Sequence, residues 1–167
     1  MALDYLPNNR FRDILQCSID ENLSDCYARY YMRLFPNIKT VLDLGTGRGN
    51  FVKSARRFGL NVFGVDRRNI FEYDLSRLVI ADIEALPFRD DSFCLVFEFY
   101  TLLDMMQLQQ RSTDEAVSEV GRVLRVGGFL VTNPAIVIGN FSSDKHYFKS
   151  VPNCNWGGVM GLHYKVR

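Results

Sequence analysis

Apolar and polar positions alternate along the chain in a way that divides it into strands and helices. Lys39 to Gly45 (KTVLDLG) reads as a strand that delivers the chain to a glycine. Asn61 to Asp66 (NVFGVD) and Arg77 to Asp82 (RLVIAD) read as two more, each ending in an acid. Phe93 to Phe99 (FCLVFEF) is a fourth, and its nearly continuous apolarity predicts burial on both faces of a parallel sheet. Phe129 to Thr132 is a fifth. Gly49 to Phe58 reads as a helix capped by Gly59. Ser112-x-x-Glu115 is a capping box that opens a helix running to about Arg125, and Gly127-Gly128 ends it. Upstream, Arg10 to Cys17 and Glu21 to Phe35 have helical periodicity, with Leu23, Tyr27, Tyr30, Tyr31 and Leu34 on one face of the second. Pro36-Asn37 stops it. The plain reading of this helix is packing on the sheet; a sharper alternative makes it a lid that supplies Tyr27 or Tyr31. Lys145 to Val151 and Val159 to Val166 read as two strands of an antiparallel hairpin.

Strands alternating with helical or short connections define an α/β, doubly wound, mostly parallel sheet, here closed by an antiparallel hairpin. The 167 residues suit a single domain. Within it, residues 1–37 are expected to form N-terminal helices, 38–133 the ligand-binding core and 134–167 the hairpin region. With 47% hydrophobic and 23% charged residues, a disordered chain is excluded. A net charge of +1 gives no global reason to expect nucleic acid or membrane as partner. No apolar run approaches the roughly 18 residues of a membrane span. Met1 to Arg10 lacks the apolar core of a signal peptide, so a cytoplasmic location is expected. Cys17, Cys26, Cys94 and Cys154 form no Cys-x-x-Cys pair, and the histidines are His146 and His163 alone. Free thiols, and no metal site, follow from that spacing.

The chemistry concentrates in Val41-Leu-Asp43-Leu-Gly45-Thr46-Gly47-Arg-Gly49-Asn-Phe51. A strand feeds a loop with glycines at alternate positions, and the loop feeds a helix. Glycine lets backbone approach a ligand and adopt positive φ. The helix start offers N–H groups and partial positive charge to a polar or anionic group. Such a turn also occurs for structural reasons alone. Asp66 shifts the balance: an acid about 20 residues after the first glycine, at the end of the second strand, accepts hydrogen bonds from ribose hydroxyls in doubly wound folds. Asp82 places a third polar group along the same carboxyl edge, where open α/β sheets bind ligands.

Taken together, these segments resemble the class I S-adenosylmethionine-dependent methyltransferases, of the small-domain type that acts on small molecules. Asp43-Leu-Gly-Thr-Gly-Arg-Gly49 is similar to that family's acid-x-Gly-x-Gly-x-Gly motif. Val62-Phe-Gly-Val-Asp66 is similar to the second motif, and Asp82-Ile83-Glu84-Ala85-Leu86-Pro87-Phe88, then Asp91-Ser92-Phe93, to the adenine-side segment. Glu119-Val-Gly-Arg122-Val-Leu-Arg-Val-Gly127-Gly128 is similar to the helix and turn before the fifth strand. The likeness covers Lys39 to about Asn133. It implies a Rossmann-like, seven-stranded sheet of order 3-2-1-4-5-7-6, and S-adenosylmethionine as cofactor. The implied cofactor residues are Asp43, Gly45, Thr46, Gly47, Gly49, Asp66, Arg67, Asp82, Ile83 and Glu98. A nicotinamide-dependent dehydrogenase is the rival, but it normally shows Gly-x-Gly-x-x-Gly. The chain departs from the pattern at Val126, where the family often has proline, at Cys94, often aspartate, and at Glu98, often small or polar.

Methyl transfer from a sulfonium is an in-line displacement that needs positioning, exclusion of water, and a base only for a protonated acceptor. Glu98 and Tyr100 are the candidate catalytic residues. Glu98 ends the fourth strand in an apolar setting that would raise its pKa; the alternative is a carboxylate capping a backbone N–H or pairing with an arginine. Asp104 is a weaker candidate, and Met105 and Met106 read as core. Arg48, Lys53, Arg56, Arg57, Arg67 and Arg68 stand against the one acid Asp66, and Lys145, Lys149, Lys165 and Arg167 against none. These patches read first as solvated faces and a protected edge strand, with RNA as the runner-up acceptor. The expected acceptor is a modest apolar molecule with one hydroxyl or amine. A catalytically silent cofactor-binding subunit, as a homodimer or with another partner chain, is the alternative class.

Overall fold

The computed structural model describes residues 23–70, 76–99, 101–102, 105, 112–132, 148–150 and 161–166. Their elements are α1 (Leu23–Leu34), β1 (Thr40–Leu44), α2 (Asn50–Arg57), β2 (Asn61–Asp66), β3 (Leu78–Ile80) and β4 (Phe93–Glu98). Then come α3 (Asp114–Val123), β5 (Leu124–Thr132), β6 (Phe148–Ser150) and β7 (Gly161–Lys165). The expected helix over Arg10 to Cys17 lies outside the described residues.

The strands form one seven-stranded sheet of order β3-β2-β1-β4-β5-β7-β6. The first five pair in parallel, and β7 runs antiparallel to both β5 and β6. The expected doubly wound sheet and its closing hairpin are therefore both present. Strand order reverses between β1 and β4, which opens a crevice at their carboxyl ends. Register puts Leu44 beside Val65 of β2 and Glu98 of β4, so three strand ends meet at one level.

All six residues of β4 are buried, as its unbroken apolarity predicts. Two clusters sandwich the sheet. Val41, Val62, Leu95, Phe97 and Val131 face α1 and α2 through Ala28, Tyr31, Val52 and Ala55. Leu42, Leu44, Val65, Val96 and Leu130 face α3 through Ala116, Val120 and Val123. Tyr31 is fully buried, with its ring edge-on to Phe97 at 4.2 Å between centroids. That placement makes α1 a packed helix, and Tyr31 is no lid residue; the side chain of Tyr27 lies outside the described residues.

Two boundaries differ from expectation. Gly127-Gly128 does not end α3. Leu124 already has extended backbone and is buried opposite Phe93, so β5 begins at the end of the helix. The glycine pair sits inside the strand where its register with β4 shifts, from Phe93↔Leu124 to Leu95↔Phe129, and Gly127 has φ 74°. The capping box does not form either. The N-cap is Thr113, without a side-chain cap, while the Ser112 hydroxyl accepts from the Asp114 N–H at 3.2 Å. Gly59 does end α2 as expected, at φ 85° and with its N–H on the Arg56 carbonyl.

Candidate cofactor site

The glycine loop follows β1 directly. Gly45, Gly47 and Gly49 all have positive φ (65°, 57° and 86°). Gly45 is needed twice over. Its φ disfavours any side chain, and a Cβ there would lie 2.0 Å from the Thr101 hydroxyl. Thr101 is held in that place by donating to the Leu44 carbonyl at 2.9 Å. On β2, a Cβ at Gly64 would meet the Thr46 hydroxyl at 2.8 Å and Val52 at 2.8 Å. The glycine lets the loop and α2 sit close over the strand.

Short-range hydrogen bonds set the loop. The Thr46 hydroxyl donates to Asp43 Oδ2 at 2.6 Å, and the Thr46 N–H to the Val65 carbonyl at 2.9 Å. The Gly47 N–H donates to Asp66 Oδ2 at 3.0 Å. Asp66 Oδ1 accepts the Arg68 N–H at 2.9 Å and the Arg68 Nε at 3.4 Å. Asp66 thus ties the loop to the end of β2. Asp43, Thr46, Gly47 and Asp66 are brought together; Arg67 beside them is exposed.

Asp43, Asp66 and Glu98 are all buried, at the carboxyl ends of three adjacent strands. Glu98 Oε1 accepts the Leu102 N–H at 2.9 Å, so it does cap backbone, one of the roles expected for it. Burial, above all, pushes the Asp43 carboxyl up to about 7. The Thr46 hydrogen bond pulls it down, and the Asp66 and Glu98 carboxylates push it further up. Three acids are thus buried at neighbouring strand ends, with the exposed Arg68 reaching Asp66 from the rim. A ligand with an ammonium and a sulfonium fits that donor set.

Asp82 lies two residues beyond the end of β3 rather than within it. Its Oδ1 accepts the Glu84 N–H at 3.1 Å and its carbonyl the Ala85 N–H at 3.0 Å, which curls the chain into a turn. Ile83 and Leu86 are buried with Leu102 and Met105 in the core on the α3 side. Met105 is core, as read; Tyr100, Asp104 and Met106 lie outside the described residues. The segment from Leu86 to Asp91 is fastened by α3. Leu86 N–H donates to Glu119 Oε2 at 2.8 Å, and the Arg122 guanidinium donates to the carbonyls of Leu86 (2.9 Å) and Phe88 (2.8 Å). Hydrogen bonds from Arg122 hold the Glu119 carboxyl below its ordinary range. From β7, Lys165 Nζ reaches Asp91 Oδ1 at 2.9 Å and the Leu124 carbonyl at 2.7 Å. Residue-by-residue reading missed Thr101, Gly64 and Lys165 as parts of the site's frame. Gly64 lies within the second motif, but nothing in its spacing signals a close approach. No His/Cys/Asp/Glu group among the described residues could hold a metal, and none of their helices is long and apolar enough to cross a membrane.

The sheet order, the glycine loop and the acids behind it define a doubly wound α/β domain of the kind that binds ligands at the carboxyl edge of its sheet. Residues 42–132, more than half of the chain, match the methyltransferase domain family, and the chain belongs to it. S-adenosylmethionine is the cofactor of such domains. The chain is 25% identical, over 83% of its length, to the sterol 4-C-methyltransferase strm-1 of Caenorhabditis elegans, of which it covers 44%. It spans less than half the length of the curated relatives it matches. Among solved structures, a protein from Pyrococcus horikoshii superposes with a TM-score of 0.63 at 17% identity, over 89% of this chain and 94% of that one. A SAM-dependent methyltransferase from Archaeoglobus fulgidus superposes with a TM-score of 0.53 at 21% identity, over 74% of this chain and 59% of the other. At these identities the two structures share the fold.

Proposed function

We propose that the chain binds S-adenosylmethionine along the carboxyl edge of β1, β2 and β4 and transfers its methyl to a small-molecule acceptor by in-line displacement. Residues 38–133 form the cofactor core in this reading. The observation that carries it is the set of three buried carboxylates at adjacent strand ends, with the Asp43 proton poised near neutrality. The cofactor supplies an activated methyl on a sulfonium. Asp43 and Glu98 offset its cationic end, while Gly45, Thr46, Gly47 and Gly49 bring backbone close to the amino-acid portion. Asp66 carries three described donors on two oxygens that together accept about four hydrogen bonds, which leaves room for a ribose hydroxyl. Asp82 and the backbone at Ile83 face the adenine, with Arg67 at its outer side. Glu98 flanks the methyl, helps hold the acceptor in line and excludes water, and Tyr100 is the second candidate for that role.

Calorimetric titration tests this directly. S-adenosylmethionine and S-adenosylhomocysteine should bind, and Asp66→Ala should weaken both roughly 10- to 100-fold, the loss of a charged acceptor. Binding of NAD in their place would overturn the reading. For the acceptor, the likeness to a sterol methyltransferase supports an apolar molecule with a single polar group. RNA is the second reading, favoured by the exposed Arg48, Lys53, Arg57, Arg67 and Arg68. It predicts binding that collapses between low and moderate salt. A small neutral acceptor predicts little salt dependence. A silent cofactor-binding subunit would bind S-adenosylmethionine yet give no cofactor turnover with any extract.

A further inference from the structure

We propose that Glu119 and Arg122 are positioning residues that set the site's preference for adenine. The inference rests on the cofactor reading above and adds how the adenine end is recognised. The turn after β3 is held at its start, where the Ala81 N–H donates to the Asp66 carbonyl at 3.1 Å and Ile83 is buried in the core. Asp82 accepts the Glu84 N–H within that turn, and further on the segment is tied to α3. There the guanidinium of Arg122 meets five acceptors with its five N–H donors. Nε and one terminal nitrogen take the two oxygens of Glu119, both at 2.7 Å. The same terminal nitrogen takes the Leu86 carbonyl at 2.9 Å. The other takes the Phe88 carbonyl and Asp90 Oδ1, both at 2.8 Å. Glu119 returns a bond by accepting the Leu86 N–H, and the Arg122 carbonyl accepts the Asp91 N–H at 3.0 Å.

A lysine cannot reproduce this. Its single ammonium has three donors and no planar fork. The pair therefore fixes the chain from Leu86 to Asp91 by shape as well as charge, and through it the turn that presents Asp82 and Ile83. A carboxylate beside adenine accepts from the exocyclic amine. Against hypoxanthine the same carboxylate meets an oxygen, so acceptor faces acceptor. Discrimination between the two bases is then a direct readout of how well Asp82 is aimed.

The test compares S-adenosylhomocysteine with its hypoxanthine counterpart, S-inosylhomocysteine, by calorimetry on the full chain. The wild type should favour the adenine ligand at least about tenfold, the effect of one charged hydrogen bond. Arg122→Lys should weaken S-adenosylhomocysteine on the order of tenfold, weaken S-inosylhomocysteine much less, and so move the ratio toward one. Glu119→Gln keeps an acceptor for Leu86 and is the second variant should Arg122→Lys fail to fold. It should shift the ratio in the same direction by a smaller factor. Equal weakening of both ligands, with the ratio unchanged, would mean that the pair merely stabilises the fold, and the proposal falls. Failure of wild type to bind S-adenosylhomocysteine at all would instead bring down the cofactor reading itself.

Discussion

The glycine loop and the acidic turn lie on either side of Asp66, and they are built in opposite ways. The glycine loop is assembled from near neighbours: Thr46 on Asp43 three positions back, Gly49 on Thr46, Gly47 on Asp66 nineteen positions on. The acidic turn is held from far away. Leu86 bonds to Glu119 thirty-three positions on, and Asp91 to Lys165 seventy-four positions on. One half of the site is set mainly by local hydrogen bonds, with Thr101 reaching in from beyond β4; the other is a turn whose far end is pinned by α3 and the tail. Damage to the first should act through conformation and charge at the site, and damage to the second through the loss of distant supports.

The largest effect is expected from Asp43→Asn, on the local side. In the unfolded chain the carboxyl titrates near 3.8, and in the folded protein near 7. Between those values the native state holds a proton that the unfolded state has lost, so Asp43 makes stability fall as pH rises from about 4 to 7. The shift corresponds to about 4 kcal/mol, absent below pH 4 and fully felt above 7. His163 acts oppositely. Burial pushes its imidazole from 6.5 down to about 4, so its contribution is lost as pH falls from 6.5 toward 4. Urea denaturation from pH 4 to 8 should show the two slopes partly cancelling in wild type. In Asp43→Asn, stability should rise from pH 4 to 6.5, and at pH 8 the variant should be more stable than wild type while binding S-adenosylmethionine more weakly. An unchanged profile would remove Asp43 from the account.

Next comes Gly45→Ala. Positive φ costs an L-residue roughly 1–2 kcal/mol, and the overlap with Thr101 adds roughly 1–3 kcal/mol, because Thr101 is hydrogen-bonded where it stands. Gly47→Ala is the control. It has the same sign of φ and no atom within 4 Å of the new Cβ, so only the first cost applies. Thermal melts should separate the two variants, and Thr101→Gly should rescue much of the Gly45→Ala loss but none of the other. Equal melting temperatures for the two would mean that the close approach of Thr101 is not a constraint.

On the distant side, Lys165→Met breaks the tail's hold on the acidic turn. It deprives the buried Leu124 carbonyl of its donor, an expected loss of about 1–3 kcal/mol. Asp91 is more than half exposed and can turn to water. The effect should therefore appear in the denaturation midpoint more than in cofactor affinity. A tenfold drop in S-adenosylhomocysteine binding without loss of stability would show that the tail, too, tunes the site.

The same division explains what could be read from the sequence. The sheet, its order and the loop glycines were legible, because periodicity and positive-φ glycines are local signals and the likeness to a known family supplied the strand order. Asp66 was legible because its distance from the loop is set by one helix and one strand. Gly127-Gly128 misled, since a glycine pair after a helix reads as a stop, while only the burial of Leu124 against Phe93 shows that the strand has begun. Thr101, Gly64 and Lys165 were silent. Each matters through a partner brought near by folding, and no spacing rule points from Lys165 to Asp91.

The smallest effect belongs to Asp90→Ala, and it sharpens the comparison most finely. Asp90 is one of the five acceptors around Arg122, at 2.8 Å, yet its side chain is 73% exposed. An exposed ion pair contributes between zero and about 1 kcal/mol and is screened by salt. The same nitrogen of Arg122 still donates to the Phe88 carbonyl, so the hold on the backbone survives. The variant should lose a few tenths of a kcal/mol at low salt, indistinguishable from wild type at 0.5 M salt by about a Debye length of 4–5 Å. Its affinity for S-adenosylhomocysteine and its adenine-to-hypoxanthine ratio should both stay at wild-type values. A ratio that shifts as far as in Arg122→Lys would mean that the guanidinium holds the turn through charge at its outer edge. The carbonyl contacts of Leu86 and Phe88 would then be consequences of that pairing rather than the means by which the turn is fixed.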